Sequence, residues 1–384
     1  MSPRDSSPVY LPFARPSIDE ECIAGVAEVL RSGWIASGPN VLKFERVLSD
    51  YLGGRPVRTM TSATAALEVG LKLAGVGRGD EVITSAMSFF SVMNVIVRAG
   101  ARPVFVDCDL VTRNMDFDQV QAAVTPHTRA IIPTHFAGLP VDMERLYAMA
   151  GRHRVRVLED AALAIGSRWK GRRIGSFGDM IAFSFHPNKN ITTIEGGALA
   201  VNDEAEARLI EKLRFHGIVR LDDGTRDVET AGGKFNMSDV SARIGLSQLA
   251  QLETFNDRRR DLALHYLHRL EGSSCVLPAR ADPGDEQGHS WNMFCVLLPL
   301  ERMSISRKQL MEALHAEGIG TGISYEALHL TTVGRRLGYC KSMFPNAERI
   351  ARETLTLPLF PQMTKTDVDR VCDAILAMLD QACN

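Results

Sequence analysis

Two residues in this chain carry types and positions that could do chemistry together. Asp160 follows the apolar run Val155–Glu159, and Lys189 follows a second run, Met180–Phe185, within Ser184-Phe185-His186-Pro187-Asn188-Lys189-Asn190. In open α/β sheets ligands gather at the carboxyl ends of the strands, which is where both residues fall. A lysine there can form an imine with an aldehyde, and an acid nearby can keep a pyridine nitrogen protonated so that the ring accepts electrons. That pairing is what a pyridoxal 5′-phosphate site needs. Taken singly, Glu159-Asp160 reads as a helix N-cap after a buried strand, and Lys189 as a surface loop lysine.

A third feature tips the balance. Thr61-Ser62-Ala63-Thr64-Ala65-Ala66 offers small residues and hydroxyls leading into a helical pattern. The free N–H groups and positive dipole end of a helix start make a ready anion site. Alone it is a weak signal, because Ser and Thr cap most helices.

These residues need a scaffold, and the flanking pattern supplies one. From residue 57 to 201, short β-rich runs alternate with helical ones. Expected strands are Glu81–Thr84, Pro103–Asp107, Ala130–Pro133, Val155–Glu159, Met180–Phe185 and Ala198–Val201, with helices at Thr64–Ala74, Asp116–Ala123 and Asp142–His153. Continuous apolar strands separated by helices indicate a mainly parallel sheet covered on both faces. Ser17-Ile18-Asp19-Glu20 reads as a capping box opening a helix that carries Ile23, Val26, Ala27 and Leu30 on one face and stops at Gly33. Residues 217–233 read as a long surface loop, and 238–270 as one long helical region.

Beyond that region the expected elements are a strand Trp291–Leu298, a helix Ser306–Glu317, a strand Leu355–Leu359 and a last helix with Val368, Val371, Cys372, Ile375, Leu376 and Leu379 on one face. The expectation is a large α/β domain over 1–250 and a smaller α+β domain over 251–384.

Composition narrows the partners. The chain has 384 residues, 45% of them hydrophobic, and a net charge of −2 from 44 basic and 46 acidic residues. No basic stripe invites nucleic acid or an anionic membrane. Arg258-Arg259-Arg260, the densest basic run, reads as a solvated helix face. His265 and His268 read as a helix-surface pair, with no third ligand to make a zinc set. Seven cysteines are scattered without a C-x-x-C pair and suggest reduced thiols. Met1 to Pro16 has no apolar segment of the secretory kind, and no apolar run approaches the ~18 residues of a membrane span. The expectation is a cytoplasmic enzyme without metal.

The chain resembles the sugar-nucleotide aminotransferases of the DegT/StrS type, with PLP fold type I (aspartate-aminotransferase-like) architecture. The resemblance runs through Ser32-Gly33-Trp34-Ile35 with Ser37-Gly38-Pro39, Thr61–Ala66, Glu159-Asp160-Ala161-Ala162, and Lys170-Gly171-Arg172. It continues through Ser184–Asn190, Glu195-Gly196-Gly197, Phe215-His216-Gly217, Lys234-Phe235-Asn236 and Leu357-Pro358-Leu359-Phe360. Ser184–Asn190 and Gly318–Gly322 are most similar to UDP-4-amino-4-deoxy-L-arabinose aminotransferases.

The resemblance implies an imine at Lys189, Asp160 on the pyridine nitrogen, and Ser62, Ala63 and Ser184 around the phosphate. It also implies Phe89 stacked on the cofactor ring, Asn236 reaching the neighbouring subunit's cofactor in a homodimer, and His329 against the sugar. His186 stands open between a catalytic neighbour and a packed loop histidine. The implied reaction moves an amino group from L-glutamate to a keto sugar nucleotide, a UDP-4-keto-pentose or a 4-keto-6-deoxyhexose. Two rivals are a dehydratase of the same family, which carries His where Lys189 stands, and a non-catalytic binding protein. Leu163 departs from the polar residue usual near the cofactor's phenolic oxygen, and the 217–233 loop is shorter than in the arabinose enzymes.

Overall fold

The computed structural model of the chain describes residues 10–282 and 284–383; the stretch Met1–Val9 read above lies outside them, as does Asn384. Seven strands form the central sheet: β1 (Val57–Met60), β2 (Glu81–Ser85), β3 (Arg102–Val106), β4 (Thr128–Ile132), β5 (Arg156–Asp160), β6 (Met180–Ser184) and β7 (Gly197–Ala200). Their order is β1-β7-β6-β5-β4-β2-β3. β7 alone runs against its neighbours, pairing antiparallel with both β6 and β1, while β2 to β6 pair in parallel.

Burial on both faces explains why the strands read as continuous apolar runs. In β6, Ile181 and Phe183 join one core, with Val157 and Ile131 beside them and Leu146 and Met149 of the helix Met143–His153 above. Met180 and Ala182 point the other way, into a second core with Leu158, Leu199 and Leu67, Val69 and Leu71 of a covering helix. Alternate side chains of one strand thus serve two cores, as the pleat requires.

A separate core gathers Tyr266, Phe294, Val296, Leu310, Leu314, Leu355, Leu357, Val368 and Ile375. It packs the antiparallel pair β8 (Phe294–Leu297) and β9 (Thr354–Leu357) against the helices Arg307–Ala316 and Lys365–Cys383. The helix Leu252–Arg269 bridges the two regions. Leu252 and Phe255 sit in the sheet core, and Leu262, Tyr266 and Leu267 in the other.

Five expectations change. The first helix, α1 (Glu20–Ser32), is capped by Asp19, whose carboxylate accepts from the Cys22 N–H, rather than by Ser17. It does end at Gly33 with φ of 73°, where glycine avoids a Cβ clash. Its buried face is Cys22, Gly25 and Val29, so Ile23 and Leu30 are left 50% and 56% exposed. The 217–233 loop holds a short hairpin, Ile218–Arg220 against Arg226–Val228. The 238–270 region is two helices, Asp239–Ala250 and Leu252–Arg269, broken at Gln251. Arg259 is buried, not solvated.

Candidate active site

β5 ends on Asp160, and its position is set by backbone bonds to the neighbouring strand end. The Asp160 N–H donates to Pro133 at 2.8 Å, and the His135 N–H donates to the Asp160 carbonyl at 3.1 Å. One carboxylate oxygen, Oδ1, accepts from the Ala162 N–H at 3.1 Å. Burial raises the Asp160 pKa, partly offset by that N–H and by the nearby charges of Lys189 and His135.

β6 ends on Ser184, and the chain then makes a tight turn whose closing bond runs from Lys189 N–H to the His186 carbonyl at 2.9 Å. Pro187 occupies the second position of that turn, where its fixed φ fits. The return limb is tied back by the Thr193 N–H to Phe185 and by the Phe185 N–H to Gly196, both at 2.9 Å. Burial pulls the Lys189 amine down to about 8, with Asp160 opposing the shift. Lys189 and Asp160 therefore sense each other's charge, yet they are not among the ion pairs of the described residues.

After α2 (Pro39–Tyr51), β1 leads through Thr61 into α3 (Ala63–Leu73), with Ser62 as N-cap accepting from Ala65 N–H at 3.1 Å. The N–H groups of Ala63 and Thr64 are left without helical partners by the geometry of any helix start. Gly197 of β7 lies against this turn: a Cβ there would stand 2.4 Å from Ala63 N and from the Ser62 carbonyl carbon. Glycine is what lets the strand approach the anion-binding turn.

These elements converge on one cleft of about 200 Å³. Ser62, Ala63, Phe89, Asp160, Leu163, Ser184, His186 and Lys189 all line it. Phe89 is half exposed and lies edge-on to Tyr325 at 5.7 Å. His186 is also open to solvent; its Nδ1 faces the Asn188 Oδ1 at 2.8 Å, and its Nε2 stands 4.0 Å from Glu195.

Two expected site residues lie elsewhere in the chain. Asn236 pairs across the edge of β1 with Met60 and donates to the Ser37 hydroxyl at 2.6 Å, outside the cleft lining. His329 is fully buried, with Nε2 against Glu348 at 3.0 Å and the Phe344 ring at 4.8 Å. His329 is thus not among the residues that line the cleft.

Several cleft residues were not expected. Thr134, at the carboxyl end of β4, shares a 2.9 Å hydroxyl contact with Ser88; Ser91, Glu195 and Tyr325 complete the wall. Thr134 was within reach of the strand-end rule, whereas Glu195 precedes β7, which runs against its neighbours, and Tyr325 arrives from 165 residues beyond Asp160 in the chain and left no local signal.

An acid at one end, a half-buried lysine, an anion-ready helix start and an aromatic side chain fit pyridoxal 5′-phosphate in size and chemistry. With the mainly parallel sheet, they define a fold-type-I pyridoxal-phosphate enzyme. The chain belongs to the DegT/DnrJ/EryC1/StrS aminotransferase family, whose sequence model matches residues 16–376. It is a pyridoxal-phosphate-dependent aminotransferase.

Solved structures agree across nearly the full length. Spr1654 of Streptococcus pneumoniae in its PLP form is 32% identical with a TM-score of 0.91, over 97% of this chain and 99% of that one. The sugar aminotransferase CalS13 of Micromonospora echinospora is 28% identical with a TM-score of 0.86, over 96% and 99%. PseC of Helicobacter pylori, an aminotransferase involved in the biosynthesis of pseudoaminic acid, is 25% identical with a TM-score of 0.90, over 97% and 100%.

Proposed function

We propose that this enzyme transfers an amino group from L-glutamate to a keto group of a nucleotide-activated sugar, a UDP-4-keto-pentose or a 4-keto-6-deoxyhexose. The observation that carries the proposal is the convergence of half-buried Lys189, buried Asp160 and the α3 N-terminus in one cleft of a chain similar to sugar aminotransferases. When bound, pyridoxal phosphate supplies an electron sink for the charge developing at the donor's α-carbon. In this reading the Asp160 carboxylate holds the ring nitrogen's proton. That pairing favours the ionised form which burial otherwise disfavours.

Ser62, Ala63 and Ser184 would hold the phosphate, and Phe89 would pack on the ring. Lys189 Nζ, depressed to about 8, is substantially neutral near that pH and so can act as nucleophile and then as the base that moves a proton. His186 is assigned a supporting place at the mouth of the cleft. His329, held by Glu348 and Phe344, keeps the sugar-side place that the family resemblance implies.

The active unit in this proposal is a homodimer in which Asn236 completes the neighbouring site. Ile23, Leu30, Trp34, Ile35 and Leu42 are exposed along and between the first two helices, an apolar surface that a second copy would cover. We also assign a large domain to 1–250 and a small one to 251–384, on the strength of the break at Gln251 and the separate core beyond it. A cytoplasmic location accords with the buried thiols of Cys22, Cys108, Cys295 and Cys372; no helix among the described residues is long and apolar enough to cross a membrane.

The test is a screen of keto-sugar nucleotides with glutamate, run beside Lys189→Ala. The wild type should be yellow, bleach with borohydride, and aminate at least one keto sugar. Lys189→Ala should fold and do none of these. Transamination of glutamate with 2-keto acids alone would remove the sugar from the proposal.

A further inference from the structure

Arg259 is a buried cation whose role the chemistry above does not use. It projects from the helix Leu252–Arg269 with 5% exposure, and burial alone pulls its guanidinium down to about 9. None of the ion pairs among the described residues involves it. Its partners are carbonyls: Nη1 donates to Asn190 at 3.2 Å and Nη2 to Lys189 at 3.4 Å. Asn292 takes the preceding carbonyl, its amide donating to Asn188 at 3.2 Å. Three consecutive backbone carbonyls, centred on the lysine, are thereby held by two side chains.

The Asn190 side chain extends the grip. It donates to Asn256 Oδ1 at 2.7 Å and to the Ser290 carbonyl at 3.0 Å, and it accepts from Asn292 at 2.9 Å. Asn256 is fixed in turn by its bond to Ile165 at 3.1 Å. Every holding group comes from residues 256–292, far along the chain from the turn they hold.

A buried charge without a counter-charge is costly, and replacement by apolar groups is often tolerated or stabilising. Its presence here is accounted for if the carbonyl grip has a function. In the proposed reaction Lys189 must leave its partner and return to the same place in each turnover. That works only if the backbone stays still while the side chain moves.

We propose that Arg259 and Asn292 are positioning residues for Lys189, holding the carbonyls of Asn188, Lys189 and Asn190 so that the amine returns to a fixed place in the cleft. The inference rests on the assignment of Lys189 above. Neither residue touches substrate or cofactor; both act through the lysine's backbone. A loosened turn lets the amine reach solvent, so its proton affinity rises toward that of an ordinary lysine, and correct return becomes rarer.

The test uses the full-length protein in Arg259→Gln, Arg259→Lys and Asn292→Ser forms. The pH dependence of Lys189 labelling by cyanate, mapped by peptide mass, is measured on cofactor-free chain; kcat and KM are measured on loaded enzyme. Expected are a labelling midpoint raised by about a unit in Arg259→Gln and Asn292→Ser, and a kcat lowered roughly tenfold or more with a smaller change in KM. Arg259→Lys, which keeps one donor and the charge, should recover part of both effects.

Asn292→Ser is the deciding arm, because it removes no charge and its midpoint cannot move by lost repulsion. Should Arg259→Gln fail to fold, Asn292→Ser carries the test alone. A lowered melting temperature with labelling midpoint and kcat unchanged would make the grip purely structural and overturn the proposal. Lys189→Ala that still captures pyridoxal phosphate covalently would instead undo the lysine assignment, a failure the labelling experiment does not produce.

Discussion

Lys189 bears a cost that can be measured without any substrate. Its folded pKa is about 8 against an ordinary 10.5, so between those values the unfolded chain binds more protons than the folded one. Stability from this group therefore rises with pH across that window, and the full penalty applies below about pH 8. The shift corresponds to on the order of 3 kcal/mol. In cofactor-free protein, Lys189→Met should be more stable than wild type at pH 7, with the gap narrowing toward pH 10.5. Parallel urea-unfolding curves for the two proteins at every pH would contradict the burial on which the chemistry depends.

Leu163 raises a second residue-scale question. It lines the cleft, and its own carbonyl is held by the Ser290 hydroxyl at 2.9 Å, so the backbone is fixed while the apolar side chain faces the site. An apolar group gives a ring oxygen nothing to bond. Leu163→Gln should tighten pyridoxal phosphate by the worth of one neutral hydrogen bond, about 1 kcal/mol, or several-fold in affinity. Equilibrium dialysis checks it; unchanged affinity would mean that the amide does not reach the ring.

At the scale of elements, the site depends on how closely β7 approaches the first turn of α3. Gly197 has no tolerance there, because the atoms a Cβ would meet are backbone and cannot swing aside. Gly197→Ala should cost roughly 1–3 kcal/mol in unfolding free energy, as overpacking does. It should also weaken pyridoxal-phosphate binding, because the turn that moves is the anion-binding one. Retained affinity with lost stability would separate the cradle from the packing. Ser62→Ala is a milder probe of the same turn, removing a cap worth about 1 kcal/mol.

For the whole molecule, the decisive claim is that two chains share each site. Asn236 stands outside the cleft lining of its own chain, and the apolar surface around Ile23, Leu30 and Trp34 is left exposed among the described residues. Lys189→Ala and Asn236→Ala should each be nearly inactive as pure proteins. Unfolded together and refolded, they should regain activity, because a mixed dimer carries one site with both residues intact. No recovery, with mixed dimers demonstrated by mass, would mean that Asn236 serves its own chain. Light scattering should give a dimer, and Leu30→Glu should shift it toward monomer.

Much of this was legible in the sequence because it is local. Strand ends, the Ser62 cap and the run from Ser184 to Asn190 each announce themselves within a few residues, and buried parallel strands have few other ways to read. The errors share one cause. Ile23 and Leu30 look like a core stripe because periodicity reports an apolar face without saying which molecule covers it. Arg259 looks solvated beside Asp257 and Asp261 because composition cannot see three carbonyls held from another segment. His329 and Tyr325 are four residues apart, yet one is sealed against Glu348 and the other lines the cleft. The sequence determined which chemistry the chain could perform, since residue type and strand position carry it. Only the tertiary structure decided which side chains reach the cleft and which hold the lysine from behind, because those contacts join segments far apart in the chain.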